Sequence, residues 1–165
     1  MNLELLDQFR DPYMKTPEGR GALLAGVLLG YIAYKQVSQP GGDEGQSSKH
    51  VPGIDKSPLF KQLQFGRLDL RSLKRLMARV PTLIGAYRDA LGPSSGNLNR
   101  LCAKAGEMLL EGKPSELGVD GNFAFTIGFT NSTSYYWRIF GRRDAPAGEQ
   151  GDVKEEPTVT DVNAL

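Results

Sequence analysis

Hydrophobic residues are most concentrated in one stretch near the start of the chain, ALLAGVLLGYIAY at residues 22–34, which contains no charged side chain. A helix that is apolar on every side is either buried in a protein core or inserted in a membrane. A helical run of this length rises about 20 Å, whereas the hydrocarbon layer of a bilayer is about 30 Å thick. Arg20 and Lys35 close the run at its two ends. We therefore expect a core helix, with a membrane span as the alternative.

The limits and the packing of this helix can also be predicted. Thr16 and Pro17 are typical of an N-cap and a first helical residue, and the helix is expected to run to about Ser38. Glycine costs about 1 kcal/mol in a helix interior, so a repeated glycine indicates a neighbouring backbone at close range. In lipid this pattern drives dimerisation, whereas in a bundle it marks close packing by another helix. The residues with helical spacing on this small face are Ala22, Gly26, Gly30 and Ala33.

Helical periodicity recurs in the middle of the chain and is clearest in LRSLKRLMARV, with Asp69 as its expected N-cap. Pro81 is expected to end this helix or to start the next, PTLIGAYRDALG, which stops at Gly92. Another helix is expected from a cap at Asn97 to Gly112. The apolar arc of the first of these helices consists of Leu70, Leu73, Leu76, Met77 and Val80.

Two other segments before residue 70 have less regular patterns. Residues 2–10 predict a short amphipathic helix with Leu3, Leu6 and Phe9 on one face. Residues 39–57 lack periodicity and are rich in Gly, Ser and Pro, which indicates a long flexible loop. A short helical turn is expected to follow this loop, in PLFKQLQF.

Residues 119–140, VDGNFAFTIGFTNSTSYYWRIF, are ambiguous. The alternation of aromatic residues around Phe123 and Phe125 is typical of a strand, whereas the length and the helical neighbours favour a buried helix capped by Asp120. The pattern alone does not decide between the two. The tail at residues 143–165 is polar, acidic and rich in Gly and Pro, so we expect it to be disordered.

Together these patterns predict an all-α fold. It is a compact bundle of about five to six helices in one domain, residues 1–142, followed by the disordered acidic tail.

Charge is distributed unevenly along the chain, although the formal net charge is only +1. Residues 56–113 hold eleven Lys and Arg against four Asp and Glu, whereas residues 143–165 hold two against six. A basic middle segment indicates an anionic partner.

Composition excludes several kinds of site. One cysteine, Cys102, cannot form a disulfide within the chain, which fits a reducing, cytoplasmic compartment. With one histidine, His50, the chain lacks the ligands for a structural zinc. The sequence has no P-loop, no dinucleotide fingerprint and no nucleophile elbow. We therefore expect neither an enzyme acting alone nor a cofactor or metal.

The candidate binding site is a row of basic residues on one side of the helix that follows Asp69. No acidic residue interrupts the chain between Asp69 and Asp89, so the acids that would pair with them at i,i+4 are missing. A phosphate backbone is the natural partner of such a row, and an ordinary solvated helix face is the alternative. The row consists of Arg71, Lys74, Arg75 and Arg79, and the other candidates are Lys61, Arg67 and Arg88.

The order of these segments resembles the C-terminal region of the large subunit of type I-B CRISPR Cascade. The run GALLAGVLLGYIAYKQ is similar to an "FLLG…Q" segment of that family. A "PFFKKL…LRLD…LKRLLPEV…KL.EY" block of the family has its counterpart in PLFKQLQFGRLDLRSLKRLMARVPTLIGAYRDAL. The helices that close the family pattern are similar to RLCAKAGEMLL and ELGVDGNFAFTIGFTNS. The resemblance covers about residues 19–133 and lies in the order and spacing of patterns.

The resemblance implies a function and a set of partners. In that family the region is also made separately as the Cascade small subunit, and a chain that starts at a Met shortly before it is expected to be such a subunit. Small subunits are helical bundles that steady the target heteroduplex and the displaced strand of the R-loop. The implied partners are the large subunit, the backbone subunits, further copies of the chain, crRNA and target DNA, with no membrane and no small-molecule substrate.

The main functional hypothesis is therefore a non-catalytic subunit of a CRISPR effector complex that binds nucleic-acid backbone. The family supplies no residue-level motif for this contact, so the assignment of the basic row depends on charge and helix geometry. The alternatives are a structural helical interaction module without direct nucleic-acid contact, and a membrane-associated small protein.

Overall fold

The structure, a computed structural model, describes residues 1–38, 53–63 and 65–141. Every regular element within these ranges is helical, which confirms the predicted all-α fold. Most of the predicted loop at 39–57 and the whole predicted tail at 143–165 lie outside the described residues. The α-helices are α1 (Pro17–Val37), α2 (Pro58–Gln62), α3 (Leu70–Ala86), α4 (Arg88–Leu91), α5 (Ser94–Gly112), α6 (Gly118–Thr130) and α7 (Ser132–Phe140).

Helix α1 is the core of the bundle, as predicted. It begins as expected: the Thr16 hydroxyl accepts a hydrogen bond from the backbone N–H of Gly19 at 3.1 Å, and Pro17 is the first helical residue. Every residue from Gly21 to Ala33 is buried, because α5, α6 and α7 pack around the helix. Across the described ranges, no helix has the combination of length and hydrophobicity that crossing a bilayer requires.

The small face of α1 packs directly against the backbone of α6, which confirms the prediction of a close helical neighbour. A Cβ atom at Gly26 would overlap the carbonyl oxygen of Phe125, and one at Gly30 would lie 2.6 Å from that of Phe129. The approach is reciprocal, because a Cβ at Gly128 of α6 would overlap the backbone of α1 at Leu23. Glycines on both helices therefore set the distance between them.

The prediction that Pro81 ends or starts a helix is wrong, because α3 continues through it. A proline inside a helix leaves the carbonyl of the residue four positions earlier without its N–H donor. Here that carbonyl belongs to Met77. Its oxygen accepts a hydrogen bond from the Cys102 thiol of α5, with 3.8 Å between sulfur and oxygen. Burial raises the pKa of this thiol, which keeps the proton on sulfur. The neighbouring helix thus partly replaces the bond that proline removes.

Helix α5 starts at Ser94, three residues before the predicted cap at Asn97. The Ser94 hydroxyl is buried and lies 3.1 Å from the Tyr31 hydroxyl of α1. The Asn97 amide donates a hydrogen bond to the Tyr136 hydroxyl at 3.3 Å instead of capping a helix. The Asn97 side chain thus serves a tertiary contact, so its cap-like position in the sequence was misleading.

Residues 119–140 are helical, which decides between the strand and the helix that the pattern left open. They form two helices, α6 and α7, with a break at Asn131. Asp120 lies in the first turn of α6 and is not its cap. Because α6 is a helix, aromatic residues two positions apart do not lie on the same face. Phe125 and Phe129 are buried, whereas Phe123 is 57% exposed.

The segments with less regular patterns form short 3-10 turns. The predicted helix at 2–10 is reduced to Glu4–Gln8, with Leu5 and Leu6 buried. The predicted loop at 39–57 contains a second such turn at Ile54–Lys56. A third, Tyr13–Lys15, leads into α1.

Replacing Gly106 with Ala should stabilise the protein, because no atom lies within 4 Å of a Cβ added at this position in α5. Alanine is the better helix former, so the free energy of unfolding should rise by about 0.5–1 kcal/mol. Urea denaturation measures the change. Gly21→Ala is the contrasting variant, since its Cβ would lie 2.8 Å from the Leu109 Cγ atom and should destabilise. A less stable Gly106→Ala protein would contradict the packing described for α5.

Candidate nucleic-acid interface

Helix α3 is anchored at its start by a side-chain cap. The Asp69 carboxylate accepts hydrogen bonds from the backbone N–H and from the hydroxyl of Ser72, each at 2.8 Å. These bonds, and to a smaller extent the charge of Arg75, lower the pKa of the Asp69 carboxyl below its ordinary value. The predicted apolar arc of α3 is buried against the bundle, so the orientation of the helix about its own axis is fixed.

The opposite side of α3 carries the predicted basic row, and all four of its side chains, from Arg71 to Arg79, are exposed. The ion pairs within the described ranges are Arg20–Asp7 and Lys104–Glu107, and neither involves α3. The charge of the row is therefore directed to solvent and is available to an anionic partner.

Neighbouring elements extend this row. Arg71, Lys74 and Arg75 line one shallow depression together with Ser115, which follows α5. Arg67 shares a second depression with Arg71. At the other end, the Arg79 Nη1 atom donates to the Gln62 Oε1 atom at 3.2 Å, which brings the end of α2 close to α3.

The structure therefore brings five of the seven predicted residues to one surface, which we call the basic face: Arg67, Arg71, Lys74, Arg75 and Arg79. The other two, Lys61 on α2 and Arg88 on α4, are exposed, but no contact among the described residues places either side chain beside the others.

Asn122 positions part of this face and was missed in the sequence. It is only 8% exposed, and its Oδ1 atom accepts from the Leu68 N–H at 2.8 Å. Its Nδ2 atom donates to the carbonyls of Leu68 at 2.9 Å and Gly118 at 2.7 Å. The side chain thus fixes the backbone between Arg67 and the cap of α3. The one available signal was an amide side chain next to the aromatic residues of this segment.

Asn122→Ala should destabilise the protein by about 2 kcal/mol, because the buried N–H and C=O of Leu68 would both lose their partner. Hydrogen exchange at Leu68 should also accelerate more than the global change in stability explains. Thermal melting and amide exchange measure the two effects. Asn131→Ala is a suitable control, since that side chain is exposed and bonds only to its own helix and to the adjacent Thr130. Equal effects of the two changes would contradict the positioning role.

The residues described do not form a metal centre. Among residues 1–38, 53–63 and 65–141, no group of three or more His, Cys, Asp or Glu side chains is arranged to hold a metal ion. The chemistry that this surface offers is the binding of anions by exposed Lys and Arg.

Comparison with known proteins identifies the family. The family model of the C-terminal domain of CRISPR-associated protein TM1802 matches residues 2–143, which include every helix described and the whole basic face. Searches of curated proteins and of solved structures find no match. The resemblance to a CRISPR-associated protein family is therefore confirmed, and the chain belongs to the family of CRISPR-associated TM1802 C-terminal domains.

Proposed function

We propose that the protein is a non-catalytic small subunit of a type I-B Cascade effector complex. In this role it holds the nucleic-acid backbone and steadies the target heteroduplex and the displaced strand of the R-loop. The observation that carries the proposal is the exposed row of α3, whose four basic side chains form no ion pair within the described ranges. Membership of a CRISPR-associated family supports it.

The physical argument concerns the small energy differences in R-loop formation. The heteroduplex that forms is about as stable as the DNA duplex that it replaces, so contacts between protein and backbone can shift the balance. Phosphate contacts carry no sequence information, which suits a subunit that must accept any target. A rigid helix with Lys and Arg on one side provides such contacts without a reading code.

The proposed partners are crRNA, target DNA, the large and backbone subunits and further copies of the chain, in the cytoplasm. Two apolar side chains exposed one turn apart on α6 favour the protein contacts, because neighbouring exposed apolar groups that form a patch often mark an interface. Val119 is 85% exposed and Phe123 57%. The same residues favour the second candidate, a structural module that contacts only protein.

The proposal is tested in the assembled effector complex on matched target DNA. Omitting the chain should shorten the lifetime of the R-loop, and adding it back should restore it on targets of unrelated sequence. Equal lifetimes with and without the chain would refute the proposal.

Two variants distinguish a subunit that binds nucleic acid from a structural module that contacts only protein. Substitution of the basic residues should impair the R-loop but not assembly, whereas Phe123→Ser should impair assembly if the exposed apolar residues form the contact between subunits. A basic-face variant that assembles and retains a normal R-loop would favour the structural module.

A further inference from the structure

A cleft of about 380 Å³ opens between α2, α6 and α7, and much of its wall is aromatic. Phe60 and Phe65 come from α2 and the turn after it, Phe129 from α6 and Tyr34 from the end of α1. We call this space the aromatic cleft. An apolar cavity of this kind, with a few polar groups at its edge, is typical of a ligand site.

The rings at the mouth of the cleft are only partly covered by protein. Phe60 and Phe65 are half-buried, and their centroids lie 5.3 Å apart with the rings tilted by 39°. Phe65 packs against Phe129 of α6, with ring centroids 4.9 Å apart and ring planes at 72°, so contact with the interior of the protein fixes its ring. A planar ligand can therefore stack on a ring that is already fixed.

Polar atoms at the edge of the cleft complement these rings. The hydroxyls of Thr126 and Thr130 donate their protons to carbonyls of their own helix, at 2.8 Å and 2.9 Å respectively. Both threonines line the cleft. The Thr126 oxygen retains two lone pairs as acceptors, and the Thr130 oxygen, which also accepts from the Asn131 Nδ2 atom at 3.3 Å, retains one. A planar ring with N–H donors on its edge fits this combination of groups.

The cleft lies beside the basic face. Lys61 directly follows Phe60 in α2, and Arg67 is two residues after Phe65. Gln62, also in α2, accepts the hydrogen bond from Arg79. A ligand that occupies the cleft and continues onto this surface must therefore combine a flat apolar ring with negative charge.

We infer that the aromatic cleft stacks an unpaired nucleobase of a single strand whose phosphates lie on the basic face. This inference rests on the proposed function and deepens it, because it assigns the protein to single-stranded nucleic acid. Aromatic stacking with flanking Lys and Arg is how proteins hold single strands without reading their sequence. In a duplex the bases are paired and stacked on one another, so they cannot enter the cleft. The displaced strand of an R-loop meets the requirement.

The test compares two short DNA strands with the same number of phosphates, one of thymidine and one with abasic sites throughout its middle. The full chain is titrated against each strand by fluorescence anisotropy. Base stacking is expected to favour the thymidine strand about fivefold to a hundredfold. Phe65→Leu removes the aromatic face but remains apolar, so it should abolish this preference. The matched control is Phe9→Leu, which changes a half-buried phenylalanine outside the cleft and should retain the preference.

A second variant, which blocks the cleft in another way, tests the inference if Phe65→Leu fails to fold. Thr130 is exposed at the edge of the cleft, so Thr130→Met fills the cleft without removing a core contact and should also abolish the preference. Equal binding of both strands by the wild type would overturn the inference and leave the proposed function intact. Binding of neither strand at low salt would overturn both. A preference that survives in Phe65→Leu and in Thr130→Met would overturn the inference alone.

Discussion

A leucine at position 26 is expected to lower the free energy of unfolding by about 3 kcal/mol or more. The Cβ atom would already overlap the carbonyl oxygen of Phe125 and would lie 2.8 Å from the backbone nitrogen of Phe129. Both obstacles are backbone atoms of α6, so no side-chain rotation relieves the overlap. The two helices must move apart, which opens the centre of the core. Gly30→Leu should act in the same direction with a smaller effect, since an added Cβ would lie 2.6 Å from the Phe129 carbonyl oxygen and 2.7 Å from the Ser132 Cβ atom.

Urea denaturation of Gly26→Leu against Gly85→Leu measures this effect with a matched control. Gly85 is also inside a helix, but it is exposed and no atom lies within 4 Å of an added Cβ. The control should therefore be at least as stable as the wild type. Equal midpoints for the two variants would show that α1 and α6 do not approach each other as closely as described.

The elements that could be predicted from the sequence are those with strong local signals. Helix α1 has a side-chain cap at Thr16, a proline at its first position and a long uncharged run, and all three act within the helix itself. The buried face of α3 could also be predicted, because one side of the helix is apolar and the other is basic. The small face of α1 even indicated a close neighbour, although not which helix it was.

Features that depend on tertiary contacts could not be predicted. Pro81 remains inside α3 while the Cys102 thiol of α5 contacts the carbonyl that proline leaves free. Ser94, the first residue of α5, makes a hydrogen bond through its hydroxyl to Tyr31, which is distant in the chain. Local rules for helix ends do not include such partners, so both helix boundaries were misplaced.

The candidate site also has features that one helix determines and features that depend on contacts between helices. The exposure of the basic row follows from the period of α3, and the structure agrees with it. The position of Arg67 beside Arg71 depends on Asn122, which binds the backbone of Leu68 from another helix. The aromatic cleft combines residues from α1, α2, α6 and α7 and has no local signal at all. Surfaces formed by one helix were therefore predictable, and surfaces formed between helices were not.

Changing Arg71, Lys74 and Arg75 to Ala is expected to weaken the binding of single-stranded DNA at least about tenfold at low salt, and equally for unrelated sequences. The three side chains lie opposite the buried arc, so the fold and the melting temperature should be retained. Arg79 is left in place, because it bonds to Gln62 and its removal would disturb the contact of α2 with α3. Gel-shift titrations on several strands measure the effect.

The matched control changes three other exposed basic residues, Arg10, Lys15 and Arg100, to Ala. It removes the same charge from the protein but leaves the basic face intact. Its affinity should remain close to that of the wild type, apart from a small general loss of attraction. Equal losses in the two triple variants would mean that net charge, and not this face, determines binding.

The central claim is that this face contacts phosphates, and the dependence of affinity on salt tests it most directly. The binding constant of a single strand is measured over a series of salt concentrations for the wild type and for the Arg71, Lys74 and Arg75 triple variant. Each lost phosphate contact should flatten the log–log slope by about 0.7, which gives a difference of about 2 for three contacts. Two parallel lines would show that these residues do not bind phosphate and would contradict the account.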